Sequence, residues 1–298
     1  MAAKKMLFIY NPRAGKSQIR SNLLDIIDTF VKAGYDVTAH PTQFRGDAAR
    51  TVAEREPGFD MVACSGGDGT LDEVVTGMMH CDEKLPIGFV PAGSTNDFAA
   101  SIHIPAVMSK AADVVVNGRD FACDIGQFNE RNFVYIAAFG LFTDVSYETR
   151  QDMKNILGHM AYMLEGMRRL SSIDAYHMKL TYDGNTIEDD FMYGMITNSV
   201  SVGGFKGITG NKIKLDDGVF EVTLIKKPSN PVELNEIAAA FMDRRINSEC
   251  MYSFKTGSLD IETDNVAWTL DGEYGGNPTK ISIRNARQSL VFRVPAEH

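Results

Sequence analysis

The chain has 298 residues, 44% apolar and 23% charged, a globular composition long enough for two domains of ordinary size. Its longest stretch free of charged or strongly polar side chains, Phe133–Phe142, falls far short of the roughly 20 residues a bilayer-spanning helix needs, so a transmembrane protein is excluded. The balance of 30 Lys and Arg against 39 Asp and Glu, net −9, argues against a nucleic-acid binder. Cys64, Cys81, Cys123 and Cys250 lie far apart with no CxxC pairing, against a zinc site or disulfide framework and for a reducing, cytosolic setting. The apolar run Met6–Tyr10 after Lys4 and Lys5 is too short for a signal-peptide core.

The first 120 residues alternate strand and helix signals. Lys4–Tyr10 reads as a buried strand. Ser17 to Lys32 carries Ile19, Leu23, Ile26, Ile27 and Phe30 at helical spacing and stops at Gly34. A short strand, Tyr35–His40, follows, then a helix through Arg55 that Asp47 is placed to cap. Met61–Cys64 is a strand, Leu71–Met79 a helix, Ile87–Val90 a strand and Pro105–Val116 a helix. This order indicates crossover units and a mostly parallel sheet.

From about Cys123 the texture turns β-rich. Strands are expected at Phe133–Phe139, Met178–Tyr182, Phe191–Thr197, Val219–Ile225, Leu259–Thr263, Ala267–Leu270, Lys280–Ile283 and Leu290–Val294. Turn signals at Asp183-Gly184-Asn185 and Asp217-Gly218 favour an antiparallel sandwich or barrel. Two helical segments interrupt it, Asp152–Leu170 and Pro231 to about Arg245.

Three glycine-rich turns follow the strands of the first half: Asn11-Pro12-Arg13-Ala14-Gly15-Lys16, Ser65-Gly66-Gly67-Asp68-Gly69-Thr70 and Pro91-Ala92-Gly93-Ser94-Thr95-Asn96-Asp97. In an open parallel sheet the carboxyl ends of the strands line one crevice, so the three are expected to converge. Glycine admits a ligand close to the backbone, and the following helix offers free N–H groups to phosphate. Three such turns point to a nucleoside triphosphate, while any one alone reads more simply as a tight connection. A Walker site is rejected, because Tyr10 stands where it needs glycine, and the second turn is not GxGxxG. Asp68, a carboxylate between glycines, would repel phosphate unless a metal intervenes, which suggests Mg2+.

These residues carry a resemblance. Asn11-Pro12 with Gly15, Gly66-Gly67-Asp68-Gly69-Thr70 and Gly93-Ser94-Thr95-Asn96-Asp97-Phe98 resemble the signature set of the diacylglycerol kinase catalytic domain. That superfamily includes sphingosine-type lipid kinases and is related to NAD kinases and phosphofructokinases. Lys214–Gly218 and Leu270–Gly276 are similar to segments of the soluble bacterial diacylglycerol kinases. The resemblance implies an α/β plus all-β architecture. An N-terminal Rossmann-like three-layer ATP-binding domain would cover residues 1–124, with about 289–298 returning to it. An antiparallel β-sandwich lipid-substrate domain would cover 125–288, with the active site in the cleft between them.

The resemblance also implies roles. Asn11, Pro12, Arg13, Ala14, Gly15, Thr42, Gly66, Gly67, Asp68, Gly69, Thr70, Leu71, Asp72 and Ser94 match positions that contact ATP. Ser94 stands where the family usually has Thr, and Asp72 where Asn or Glu is common. Asp124 and Glu273 match acids that support nucleotide and metal, and Asp271 matches the proposed general base. The Lys214 carbonyl, Asp217 and the Val219 carbonyl match a structural Mg2+ site.

On the residues themselves, Asp271 and Glu273 stand two apart, and in an extended stretch both would face one side. An ordinary Asp-Gly hairpin is the plainer reading of both Asp271-Gly272 and Asp217-Gly218. The first acid is Asp25, and the charged residues before it are all basic: Lys4, Lys5, Arg13, Lys16 and Arg20. They read either as a solvated face or as a local anion site. With Arg45 they are candidates for contact with an anionic membrane. On Asp152–Leu170 the stripe Met153, Ile156, Leu157, Met160, Met163, Leu164 and Met167 reads as a buried helix face or as the wall of an acyl-chain groove.

The expected activity is transfer of phosphate from ATP to diacylglycerol by a cytoplasmic, peripherally membrane-bound homodimer without nucleic-acid partners. Alternatives are another hydroxyl lipid (a long-chain base or phosphatidylglycerol), NAD, or a nucleotide-binding regulator without catalysis. NAD is disfavoured, because Asn96-Asp97-Phe98 replaces the NE-type motif of NAD kinases.

Overall fold

The computed structural model describes residues 3–15, 19–140, 174–199, 201–202, 205–206, 214–243 and 249–296. The expected helix Asp152–Leu170, the end of the helix toward Arg245, and Lys16 lie outside the described residues. The chain divides into two compact units, Met1–Ile125 with Arg287–His298, and Gly126–Ala286.

In the first unit, β1 (Lys4–Tyr10), β2 (Tyr35–Pro41), β3 (Met61–Gly66) and β4 (Ile87–Pro91) form a parallel sheet. The C-terminal half of a long strand, Lys280–Val294, joins it, pairing Phe292 with Ile87 in parallel. The strand order is therefore the last strand, β4, β3, β1, β2. The helices are α1 (Ile19–Lys32), α2 (Asp47–Ala53), α3 (Asp68–Met79), α4 (Asp97–Ser101) and α5 (Met108–Asn117). The helical spacing read in α1 is visible in its packing, since Ile19, Ile26 and Phe30 are buried and Phe30 meets Phe8 edge-on at 5.3 Å. Burying a side chain of that size contributes roughly 1.5–3 kcal/mol.

Several boundaries differ from the sequence reading. Asp47 does not cap α2. Gly46, at φ +86, holds the cap position, and Asp47 is the first helical residue. The third helix begins at Asp68 rather than Leu71, because Gly67 serves as its extended N-cap. The short helix α4 and the ten-residue strand β5 (Arg119–Phe128) were not expected as elements.

The second unit is antiparallel. Its strands are β6 (Arg131–Phe133), β7 (Ile136–Gly140), β8 (Tyr176–Tyr182), β9 (Asn185–Thr197), β10 (Ser201–Val202), β11 (Phe205–Lys206) and β12 (Phe220–Lys226). They continue as β13 (Met251–Thr256), β14 (Ser258–Thr263), β15 (Trp268–Leu270), β16 (Glu273–Gly276) and β17 (Lys280–Val294), with one helix, α6 (Pro231–Asp243), between β12 and β13. Asp183 and Gly184, both at positive φ, close the expected β8–β9 hairpin. The β9 strand pairs with β8 along its first half and with β7 and β12 along its second, and so joins two groups of strands. Alternate residues face one core: Met178 and Leu180 of β8, Leu259 and Ile261 of β14, and Ile281 and Ile283 of β17. Trp268, with Phe139 at 4.8 Å and Phe128 at 5.1 Å, lies in that core.

Candidate active site

The strand order places the carboxyl ends of β4, β3, β1 and β2 in a row, about 4.8 Å per step. Three of the four tips carry the glycine-rich turns, and the structure brings these together. The Asn11 N–H donates to the Ser65 carbonyl at 2.8 Å, and the Ala92 N–H to the Gly66 carbonyl at 2.7 Å. A Cβ on Gly15, at φ +54, would lie 2.2 Å from the Ala92 carbonyl oxygen. A Cβ on Gly93 would lie 2.7 Å from the Gly67 Cα, so the second and third turns touch backbone to backbone. Only glycine permits that approach.

Each turn is also fixed internally. Asn11 Oδ1 accepts from the Arg13 N–H at 2.9 Å. Asn96, at φ +52, accepts from the Gly93 N–H and donates to the Gly93 carbonyl, both at 2.9 Å. Beside the cluster, the Thr42 N–H donates to the Tyr10 carbonyl at 2.9 Å, holding the tip of β2 against the first turn.

Asp68 stands where the turns meet, at the first position of α3. Its Oδ2 accepts from Thr95 Oγ1 at 3.2 Å, whereas Oδ1 is buried with no hydrogen-bond partner among the described residues. Burial first, and then the charge of Asp97, raise its carboxyl to about 6 against the weaker pull of Thr95 and nearby N–H groups. A carboxylate with an unsatisfied oxygen, beside helix amides that no side chain caps, offers a place for a cation accompanying an anion.

The other expected contacts divide by environment. Arg13 and Ser94 are exposed, Pro12, Gly69 and Asp72 are partly exposed, and Ala14, Thr70 and Leu71 are buried. The Leu71 side chain belongs to the core, so only its backbone could meet a ligand. Asp124 is fully buried, and its Oδ1 accepts from the Gln288 N–H at 2.7 Å, anchoring the returning strand. Arg20 is exposed on α1.

In the second unit Asp271 sits in a two-residue hairpin between β15 and β16. Both Asp271 (φ +51) and Gly272 (φ +81) are left-handed, the geometry of a type I′ turn. The extended-strand argument for aligning Asp271 with Glu273 therefore does not apply, because the turn lies between them. The Asp271 carboxylate is instead turned onto the segment before β7. It accepts the N–H groups of Val134 at 2.5 Å, Tyr135 at 3.0 Å and Ile136 at 2.9 Å. Three amide donors fix its place and stabilise the anion. Glu273 opens β16 and is half-buried.

The segment Lys214–Val219 turns at Gly218 (φ +83), and Asp217 Oδ1 accepts from the Val219 N–H at 3.3 Å. Two steps along, burial and then Asp217 raise the Glu221 carboxyl, opposed by Lys255 at 2.6 Å. Among the described residues no three His, Cys, Asp or Glu side chains cluster for a metal. A cation at Lys214–Val219 would thus depend on carbonyl oxygens with Asp217, a donor set that suits a hard divalent ion.

Sequence reasoning missed two supports of the site. One is Thr95 with Asp97, which act on Asp68 in opposite directions, the Thr95 hydroxyl by donating to Oδ2 and Asp97 by its charge. The other is Glu73 of α3, whose Oε1 and Oε2 accept the Gly46 and Ala48 N–H groups at 2.7 and 3.1 Å. The first was signalled by the Gly93–Phe98 motif. The second, linking residues 25 and 27 apart, had no local signal.

Comparison with known proteins gives consistent results. Residues 5–128 match the diacylglycerol kinase catalytic domain family, and residues 138–290 match the YegS C-terminal NAD kinase beta sandwich-like domain family. A diacylglycerol kinase of Bacillus subtilis (strain 168) is 36% identical over 279 residues, covering 92% of this chain and 91% of the relative. One from Staphylococcus carnosus (strain TM300) is 33% identical over 297 residues, covering 99% and 96%. A crystal structure of a candidate diacylglycerol kinase from Bacillus anthracis str. Sterne matches with a TM-score of 0.82 at 24% identity, over 99% of this chain and 96% of that one. The last likeness carries the fold alone.

Proposed function

The chain belongs to the diacylglycerol kinase family, and on that premise we propose that it transfers the γ-phosphate of ATP to the free hydroxyl of diacylglycerol, giving phosphatidic acid. The observation that carries the reading is Asp68 and its unsatisfied oxygen at the junction of three mutually locked glycine turns. Phosphoryl transfer requires positioning, neutralisation of charge and an acceptor for the hydroxyl proton.

Positioning falls to the turns. Asn11–Gly15, Gly66–Thr70 and Gly93–Ser94 bring backbone amides close to a polyphosphate, and α3 adds the positive end of its dipole. Mg2+ bound with the nucleotide would spread the triphosphate charge. Asp68 fits as its protein partner in the first unit, and the Lys214 carbonyl, Asp217 and the Val219 carbonyl fit a structural ion in the second. Asp271 takes the hydroxyl proton as general base. Its three amide bonds hold the accepting carboxylate in one orientation.

Arg13 and Arg20, with Lys16, would meet an anionic membrane surface at about 1 kcal/mol per charge. None of the described helices is long and apolar enough to cross a bilayer. For a lipid acceptor we propose peripheral docking at the inner face of the membrane, by a homodimer.

The test is labelled ATP with mixed micelles containing diacylglycerol, a long-chain base or phosphatidylglycerol, and with NAD in solution. Label in phosphatidic acid is expected. Label only in another acceptor, or ATP binding without transfer to any, would overturn the assignment.

A further inference from the structure

Phe44 is the one exposed Phe, Tyr or Trp of the first unit among the described residues, with 54% of its surface in solvent. It sits two residues past Thr42, in the loop at the tip of β2, outside every glycine motif. The loop is held unusually firmly for an exposed connection. The Thr42 N–H is tied to β1, and Gln43 Nε2 donates to the Pro41 carbonyl at 2.7 Å. The Gly46 and Ala48 N–H groups are taken by Glu73. The Gln43 N–H donates at 2.8 Å to the fully buried Asp47. Burial alone would raise the Asp47 carboxyl, but the Gln43 N–H, His40 and Arg50 together hold it below the ordinary range. Asp47 Oδ1 in turn accepts from Arg50 at 3.0 Å, and the Arg50 guanidinium lies 5.0 Å from the centre of the Phe44 ring. One side of the ring is thus backed by a cation that is itself anchored, and over half of its surface stays uncovered.

A ring backed on one side by an anchored cation and open on the other offers that open face to a flat partner. The strand order says which partner. The glycine turns that favour anions stand at β4, β3 and β1, and β2 is the edge strand. From the tip of β3, beside Asp68, to the tip of β2 is two strand steps, roughly 10 Å. That separation suits a nucleotide lying along the row of tips, with its phosphates at the glycine turns and its base at β2. We infer that Phe44 forms the stacking wall for the nucleotide's base, with Arg50 supporting its rear face. The inference rests on the ATP-binding reading above and assigns a specificity residue within it.

The test uses the full chain and isothermal calorimetry with ATP, ADP and inorganic tripolyphosphate. Phe44→Ala should weaken ATP and ADP binding about 5- to 100-fold, the usual range for loss of one aromatic stacking partner. It should leave tripolyphosphate affinity unchanged, raise KM for ATP and spare kcat at saturating ATP. Phe44→Trp should restore affinity, and its emission should be quenched by ATP but not by tripolyphosphate. Unchanged ATP affinity in Phe44→Ala would overturn the inference while leaving the kinase reading intact. An equal loss of ATP and tripolyphosphate would also overturn it, showing that the ring only shapes the loop. If the wild type bound neither ATP nor tripolyphosphate, the kinase reading itself would fall.

Discussion

Replacing Asp271 by Ala removes the acceptor of three backbone N–H groups at once. Val134, Tyr135 and Ile136 lead into β7, which pairs with β15, so the loss falls between the hairpin and its neighbouring strand. Each buried donor left unmatched costs about 1–3 kcal/mol, so the change should remove about 3 kcal/mol or more. For a unit of this size each kcal/mol moves Tm by about 2–4 °C, giving a drop of at least about 6 °C. Trp268 is the only tryptophan and is buried in the core of the same unit, so its fluorescence reads that melting directly. Asp271→Asn keeps one acceptor oxygen and should lose only about 1–3 kcal/mol. At a temperature where both variants are folded, kcat should fall about 100-fold or more in each, because neither can take the hydroxyl proton. Asp271→Ala melting within about 2 °C of wild type would refute the anchoring argument. A folded Asp271→Asn retaining more than about a tenth of wild-type activity would refute the general-base assignment.

Three further outcomes follow from the nucleotide turns. The Asp68 carboxyl is raised from 3.8 to about 6, so as pH rises through that window the unfolded chain loses its proton first and stability falls. Above the window the buried anion costs up to about 3 kcal/mol; Asp68→Asn should therefore stabilise the first unit near pH 8 but not near pH 4, in calorimetric melts at each pH. An equal gain at both would contradict it. Gly93→Ala must push the second and third turns apart, since its Cβ would fall 2.7 Å from the Gly67 Cα, and ATP affinity measured by calorimetry should drop about tenfold. Glu73→Ala leaves the Gly46 and Ala48 N–H groups unmatched, and KM for ATP should rise several-fold while the fold persists, as circular dichroism would check.

The parallel sheet and its three turns were legible because each strand is a short apolar run and each turn contains glycine where the backbone must approach another backbone. What escaped was set by side-chain partners, some of them distant in sequence. Lys280–Ile283 and Leu290–Val294 read as two strands because Asn285, Arg287, Gln288 and Ser289 are polar, yet β17 runs unbroken. Gln288, at φ +48, keeps the strand continuous by donating to Asp124, 164 residues away. Asp47 has the chemistry of an N-cap, but His40, Gln43 and Arg50 claim its carboxylate, and Gly46 supplies the turn. The Asp271-Gly272 pair is both the plain hairpin and the position matched to a base. The local reading of a turn was correct, while the three amide bonds that orient the side chain depend on residues 134–136.

Hydrogen exchange with and without Mg-ATP tests the nucleotide site most directly. Slowed exchange is expected at the backbone amides of 11–15, 66–70 and 92–96 together, with weaker protection at 42–46. Protection confined to any other part of the chain, with these three turns unaffected by saturating nucleotide, would contradict it.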